Sequence, residues 1–179
     1  MSTYTNTYIQ KQLNNFNAGL VIDGVIGDKS KFWIHGLQYA GGLKTDGIYG
    51  NKTHAYAMSI VNSSGKYTAH FKDYEFDCPC CGKNPGINID TLILLEAIRY
   101  KYKRAIATTS GYRCVKHNKA VGGEPASYHL YAKAADFVVS GIPASAIYGL
   151  CNNMNLKGGV GKYFSFTHVD CRGYRSRWN

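Results

Sequence analysis

The chain lacks what a membrane protein or a secreted precursor needs. No stretch approaches the roughly 18 consecutive apolar residues that span a bilayer. The opening residues, MSTYTNTYIQ, carry neither a basic segment nor the apolar core of a signal peptide. A product made in the cytoplasm without a signal peptide is therefore expected. Acidic residues are scarce, eleven against twenty-one Lys and Arg, and the resulting charge of +10 favours a polyanionic partner without choosing among nucleic acid, anionic membrane and acidic wall polymer. A groove-reading helix, an RNA-binding aromatic motif and paired zinc-finger spacing are all missing, which argues against nucleic acid. The basic residues are scattered apart from YKYKR (Tyr100 to Arg104) and RGYRSR (Arg172 to Arg177).

A disulfide framework is missing too. Of the six cysteines, three lie in Cys78-Pro79-Cys80-Cys81, while Cys114, Cys151 and Cys171 stand alone, and without a secretion signal such a pattern does not read as a disulfide scaffold. Cys78 and Cys81 offer half of a small structural zinc site. A closed site usually takes four Cys or His ligands, and only distant residues such as Cys114 or Cys171 are available to complete it. A turn with buried thiols is the other reading.

The chain does contain a repeat. DGVIGDKS (Asp23 to Ser30) returns 23 residues later as DGIYGNKT (Asp46 to Thr53), with the same two glycines in each copy. Each copy reads as a turn that starts a helix, with Asp28 or Asn51 as N-cap. Helical spacing surrounds the turns at Ile9, Leu13 and Phe16, at Trp33, Leu37 and Ala40, and at Ala57 and Ile60. Three short helices joined by two related loops follow. From Thr5 to Asn62 this pattern, with Leu37-Gln38 ahead of the second loop, resembles the peptidoglycan-binding domain that accompanies many cell-wall hydrolases.

The polar stretch Asn62 to Lys66 reads as a linker, dividing the chain into residues 1–64 and 67–179. Beyond it, Asp90 is expected to cap a helix through Lys103, with Leu92, Leu95, Ile98 and Tyr102 as its buried stripe. Strands are expected at Ala105 to Thr109, Ala134 to Val139 and Ser165 to Asp170, with a helix over Pro143 to Met154. The expected fold is α+β: a three-helix unit, then an α+β unit with a small antiparallel sheet.

Three segments of the second half carry chemistry: Ser110-Gly111-Tyr112-Arg113, then Ser127-Tyr128-His129 with Asp136 seven residues on, and His168-Val169-Asp170. Two imidazoles and one carboxylate suit zinc, and three protein ligands leave the fourth tetrahedral position open to water, as catalysis requires. Together the segments resemble the zinc D,D-carboxypeptidases and L-alanyl-D-glutamate peptidases of bacteria and phages, which carry S-G-Y-R, S-x-H-x-x-G-x-A-x-D and a late H-x-D.

That resemblance, from Phe76 to Asp170, implies zinc ligation by His129, Asp136 and His168. It places Arg113 at the active site, where a guanidinium grips a substrate carboxylate or steadies an oxyanion. Ser127 is read as a hydrogen-bonding support rather than a nucleophile. Asp170 either accepts a proton in catalysis or orients a ligand. Tyr163 and His117 are outside candidates for the base, with His117 expected on an exposed helical turn. One departure is visible: Ala132 stands where the family pattern has glycine, so strain is expected if that position needs a positive φ.

These resemblances imply a monomeric, endolysin-like zinc peptidase that acts on peptidoglycan, with anionic wall polymers as further partners. The alternative is a wall-binding protein that keeps its metal without turnover.

Overall fold

A computed structural model describes residues 3–64 and 68–179 of the chain. The apolar spacing of the first sixty residues closes into three helices: α1 (Asn6–Asn14), α2 (Asp28–Ala40) and α3 (Asn51–Ile60). Ile9 and Leu13 are buried from α1, Trp33, Leu37 and Ala40 from α2, and Ala57 and Ile60 from α3. The caps differ from expectation. Gly27 and Gly50 occupy the N-cap positions, and Asp28 and Asn51 are the first helical residues.

The two repeats are alike down to individual hydrogen bonds. Gln10 Nε2 donates to Asp23 Oδ1 (2.6 Å) and to the Val25 carbonyl (3.0 Å), while Gln10 Oε1 accepts from the Gly24 N–H (2.9 Å). Gln38 repeats the pattern with Asp46 Oδ1 (2.8 Å), the Ile48 carbonyl (3.0 Å) and the Gly47 N–H (3.0 Å). A buried glutamine on each preceding helix thus supplies donors and acceptors that the loop cannot find within itself.

Residues 65–67, which include part of the expected linker and the expected start of the second unit, lie outside the described residues. Beyond them, α4 (Ile89–Tyr102) is capped by Asn88, whose side-chain oxygen accepts from the Asp90 N–H at 2.9 Å, and not by Asp90. It is buried on more than the expected stripe, since Ile93, Leu94 and Ala97 are also inaccessible. A helix apolar all round needs neighbours on several sides; α4 has α2 on one and the sheet on another. Gly36 permits the approach of α2, because a Cβ there would lie 2.8 Å from the Ala97 Cβ. Apolar residues from Ile9 to Val169 form one continuous cluster, so the helical part and the sheet share a core.

The fold is α+β, with a helical N-terminal part followed by a five-stranded sheet. Its strands are β1 (Ile106–Ser110), β2 (Ala134–Val139), β3 (Gly159–Lys162), β4 (Thr167–Asp170) and β5 (Ser176–Trp178), in the order β1-β2-β4-β3-β5. The short helix α5 (Val115–Ala120) follows β1, and α6 (Ala144–Met154), with Pro143 at its N-cap, follows β2. The sheet is mixed, where an antiparallel one was expected. Strand β5 runs parallel to β3 along its free edge, and its residues Ser-Arg-Trp offer no apolar run by which a strand is recognised. Among the described residues no helix is long and apolar enough to cross a membrane.

Candidate metal centre

Register places two of the three expected ligands. Asp136 and His168 are directly paired across the antiparallel β2–β4 ladder, and residues so paired have side chains on one face. His168 Nδ1 lies 2.7 Å from Asp136 Oδ1. The third comes from a 3-10 turn, Tyr128–Tyr131, ahead of β2. His129 Nε2 lies 3.2 Å from Asp136 Oδ1 and 3.2 Å from His168 Nδ1. All three side chains are buried.

The outer contacts decide which atoms carry protons. His129 Nδ1 is 2.6 Å from the Gly111 carbonyl, which can only accept, so Nδ1 bears the hydrogen and Nε2 presents a lone pair. His168 Nε2 is 3.1 Å from Asp170 Oδ2, again an acceptor, so its Nδ1 presents the other lone pair. Two imidazole lone pairs and a carboxylate oxygen therefore converge on one point, an arrangement that a proton or a cation must neutralise. Ligands tetrahedrally disposed about zinc at 2.0–2.1 Å lie about 3.3 Å apart, close to the separations here. The donor set fits a divalent metal of the zinc type.

The titration behaviour follows from the same contacts. Burial opposes the charge on Asp136, but His129 and His168 beside it hold its carboxyl well below the usual range. Burial lowers the pKa of His129. Burial also disfavours protonated His168, yet Asp136 and Asp170 outweigh it and raise the value above 6.5.

The remaining expected residues fall in different places. Arg113 donates from an Nη to Asp136 Oδ2 and from Nε to Ser110 Oγ at 2.8 Å, so it braces the carboxylate of the cluster. Asp170 is fully buried behind His168, not on the cleft. Besides His168 it accepts from the Gly159 N–H (2.9 Å) and from Arg172 Nε (2.8 Å) and Nη2 (2.5 Å). Its oxygens are occupied by these donors, and it lies against the far nitrogen of His168. Strand alternation alone suggested the cleft face, but the carboxylate turns back to the far nitrogen of the ring. Ser127 lies on the cleft wall, and its hydroxyl makes no hydrogen bond to the described residues, so it supports none of the cluster. Tyr163 lines the cleft and accepts from Trp178 Nε1 at 3.1 Å.

His117 lies elsewhere: half-buried in the first turn of α5, its Nδ1 is 3.3 Å from Cys78 Sγ. Cys171 is not near that group and receives the Thr91 hydroxyl at 3.5 Å. Ala132 does take the left-handed conformation (φ 52°) at the end of the 3-10 turn, so the glycine position keeps its backbone geometry with alanine in it.

Several contributors were not anticipated. The carbonyl of Gly111 orients His129, and Arg172 holds Asp170. Gly159 and Gly161 share a face of β3; a Cβ on the first would meet Asp170 Oδ2 at 2.3 Å and on the second the Trp178 ring at 2.6 Å. The glycine run thereby admits both the buried carboxylate and the indole, which lies 5.0 Å from the His168 ring centroid. Glycines two apart in a strand would have been the available sign of a close approach.

The cluster opens into a cleft of about 1310 Å³ whose walls include Tyr128, Tyr163, Phe166, Trp178, Arg172 and Glu124. Arg172 sits 4.9 Å from the ring centroids of both Tyr128 and Trp178. Aromatic walls with a few basic groups suit an extended ligand that presents carbonyls and carboxylates.

A family model described as Peptidase M15 matches residues 69–170, a span that takes in β1 to β4 and the whole cluster. Comparison with the curated proteins gave no match.

Proposed function

Because the chain belongs to the Peptidase M15 family of zinc-dependent metallopeptidases, we propose that it is an endolysin-like peptidoglycan hydrolase that cuts a peptide bond of the stem peptide or cross-link. The observation that carries this reading is the convergence of three lone pairs, from His129, Asp136 and His168, at the floor of an aromatic cleft. These three residues would hold zinc. When bound, the metal supplies Lewis-acid chemistry, activating water and polarising the scissile carbonyl.

The other residues position and complement. Asp170 fixes the tautomer and ring angle of His168, and the Gly111 carbonyl does the same for His129. Arg113 anchors Asp136 through one edge of its guanidinium. Its Nη1 makes no hydrogen bond among the described residues and remains to donate to the oxygen that becomes negative during attack.

The N-terminal helices are proposed to hold the enzyme on the wall through the two glutamine-clamped loops, raising the effective substrate concentration. The charge of +10 would add attraction to anionic wall polymers. A monomer suffices for this scheme.

The test is incubation of the zinc-loaded full chain with purified peptidoglycan, followed by mass spectrometry of the soluble products. Peptide fragments with a new amino terminus, formed by the wild type and not by His168→Ala, are expected. Intact wall after prolonged incubation, with zinc at the His129–Asp136–His168 site, would overturn the peptidase reading in favour of a binding protein that retains its metal.

A further inference from the structure

A second group of metal-binding side chains gathers where the chain leaves Arg113, away from the cleft. The sulfurs of Cys78, Cys81 and Cys114 lie within 4.8 Å of one another, and His117 Nδ1 is 3.3 Å from Cys78 Sγ. In sequence these are two pairs of identical spacing, Cys78-x-x-Cys81 and Cys114-x-x-His117, 33 residues apart from Cys81 to Cys114. None of the cysteines is in a disulfide.

Each pair sits on backbone that aims its ligands together. Cys78 pairs with Lys83 across a tight turn, the Gly82 N–H donates to the Cys78 carbonyl at 2.8 Å, and Gly82 takes a φ of +64° that closes the turn. Cys114 precedes the first turn of α5 and His117 lies within it, so a spacing of three brings both to one face. The N–H of Cys114 donates to Cys78 Sγ at 3.4 Å, and that of His117 donates to Cys114 Sγ at 3.4 Å. Backbone N–H groups aimed at sulfur favour the thiolate, the form that binds metal.

We propose that Cys78, Cys81, Cys114 and His117 hold a structural zinc ion. Three thiolates and one imidazole fill a tetrahedral shell and leave no position for substrate. Sulfurs bound to zinc at about 2.3 Å stand about 3.8 Å apart, within the spread found here. Cys80, between two of the ligands, is exposed and is not needed to complete the shell.

The ion would act as a clip. Besides joining Cys78 to Cys114, the two segments are tied by the Tyr112 N–H to the Phe76 carbonyl at 2.8 Å. The stretch so fastened contains Gly111, which orients His129, and Arg113, which braces Asp136. Metal at the cysteine site therefore fixes the outer support of the cleft cluster, whatever bond that cluster cuts.

The experiment is metal analysis of the full chain, purified with a non-thiol reductant and without chelator, alongside cobalt substitution. About two zinc ions per wild-type chain are expected, and about one in His168→Ala. Cobalt-loaded wild type and His168→Ala should both show sulfur-to-cobalt charge-transfer absorption, which two imidazoles and a carboxylate cannot produce. Cys114→Ser should lose that band together with one zinc. If Cys114→Ser does not fold, His117→Cys keeps the test open, since a four-cysteine shell should retain the metal and strengthen the band. A single zinc that disappears in His168→Ala would overturn the proposal. So would a disulfide among these cysteines in the reduced preparation, or a second zinc that depends on Cys80 and survives His117→Ala.

Discussion

Asp136 Oδ1 and His168 Nδ1 stand 2.7 Å apart because their residues are partners in the β2–β4 register. Two members of the cleft cluster thus depend on the sheet, and the third is held to the segment after β1 by hydrogen bonds from His129 Nδ1 to the Gly111 carbonyl and from the Arg113 N–H to the His129 carbonyl.

Removing either imidazole opens the cluster. His129→Ala and His168→Ala are expected to lose the zinc of this site and to release no wall peptide. Elemental analysis and product mass spectrometry check both; full zinc and normal turnover in either variant would remove that residue from the ligand set.

Asp170→Asn separates orientation from proton transfer. The carboxylate faces the far nitrogen of His168 and lies out of the cleft, so its loss should weaken zinc binding by about 10- to 100-fold, with turnover largely restored at saturating zinc. If turnover instead falls by about 100-fold or more with zinc still fully bound, Asp170 acts on the substrate proton.

Acid should strip the metal at a pH set by His168. Burial disfavours its protonated form, but Asp136 and Asp170 outweigh burial and raise its pKa, so on acidification its proton competes with zinc. Asp136, held well below the usual carboxylate range, stays ionised throughout. Apparent zinc affinity is expected to fall by about tenfold per pH unit for each proton displaced. Constant affinity between about pH 7.5 and 5.5, measured with buffered zinc, would contradict ligation by His168.

Gln38→Ala tests the repeat. Gln38 is 2% exposed and pairs with Asp46, Gly47 and Ile48, so truncation strands several polar groups at a cost of about 2 kcal/mol, or a fall in Tm of about 4–8 °C. Gln10→Ala should match it. At a temperature where both variants stay folded, co-sedimentation of the full chain with wall should drop if the loops are the binding surface; an unchanged Tm would show that the clamps carry little.

Ala132→Gly should change little. Relief of the left-handed backbone at Ala132 (φ 52°) is worth about 1–2 kcal/mol. Against it stand about 0.5–1 kcal/mol for the freer unfolded glycine and about 0.8 kcal/mol for the buried methyl. The opposing contributions nearly cancel, and calorimetry should find Tm within about 4 °C of wild type with zinc content unchanged. A loss of zinc would tie the methyl to the site.

Helical spacing alone determined the three N-terminal helices, because the period of apolar residues reports directly which face will be buried. The repeated DG-x-x-G turns were legible for the same local reason, whereas the members of the cleft cluster were named from the resemblance of their three segments to a family pattern. The rest depended on which distant segments meet. Whether Asp170 faces substrate or backs His168 turns on Gly159 and Arg172, and Gly159 comes from another strand. The burial of α4 beyond one stripe follows from α2 packing on it, and β5 exists because a polar tail finds the free edge of β3. His117 read as an exposed base candidate until the fold set it beside Cys78, 39 residues earlier. Local preferences carry no record of such encounters; strand register and helix packing decide them, and with them which side chains share a site.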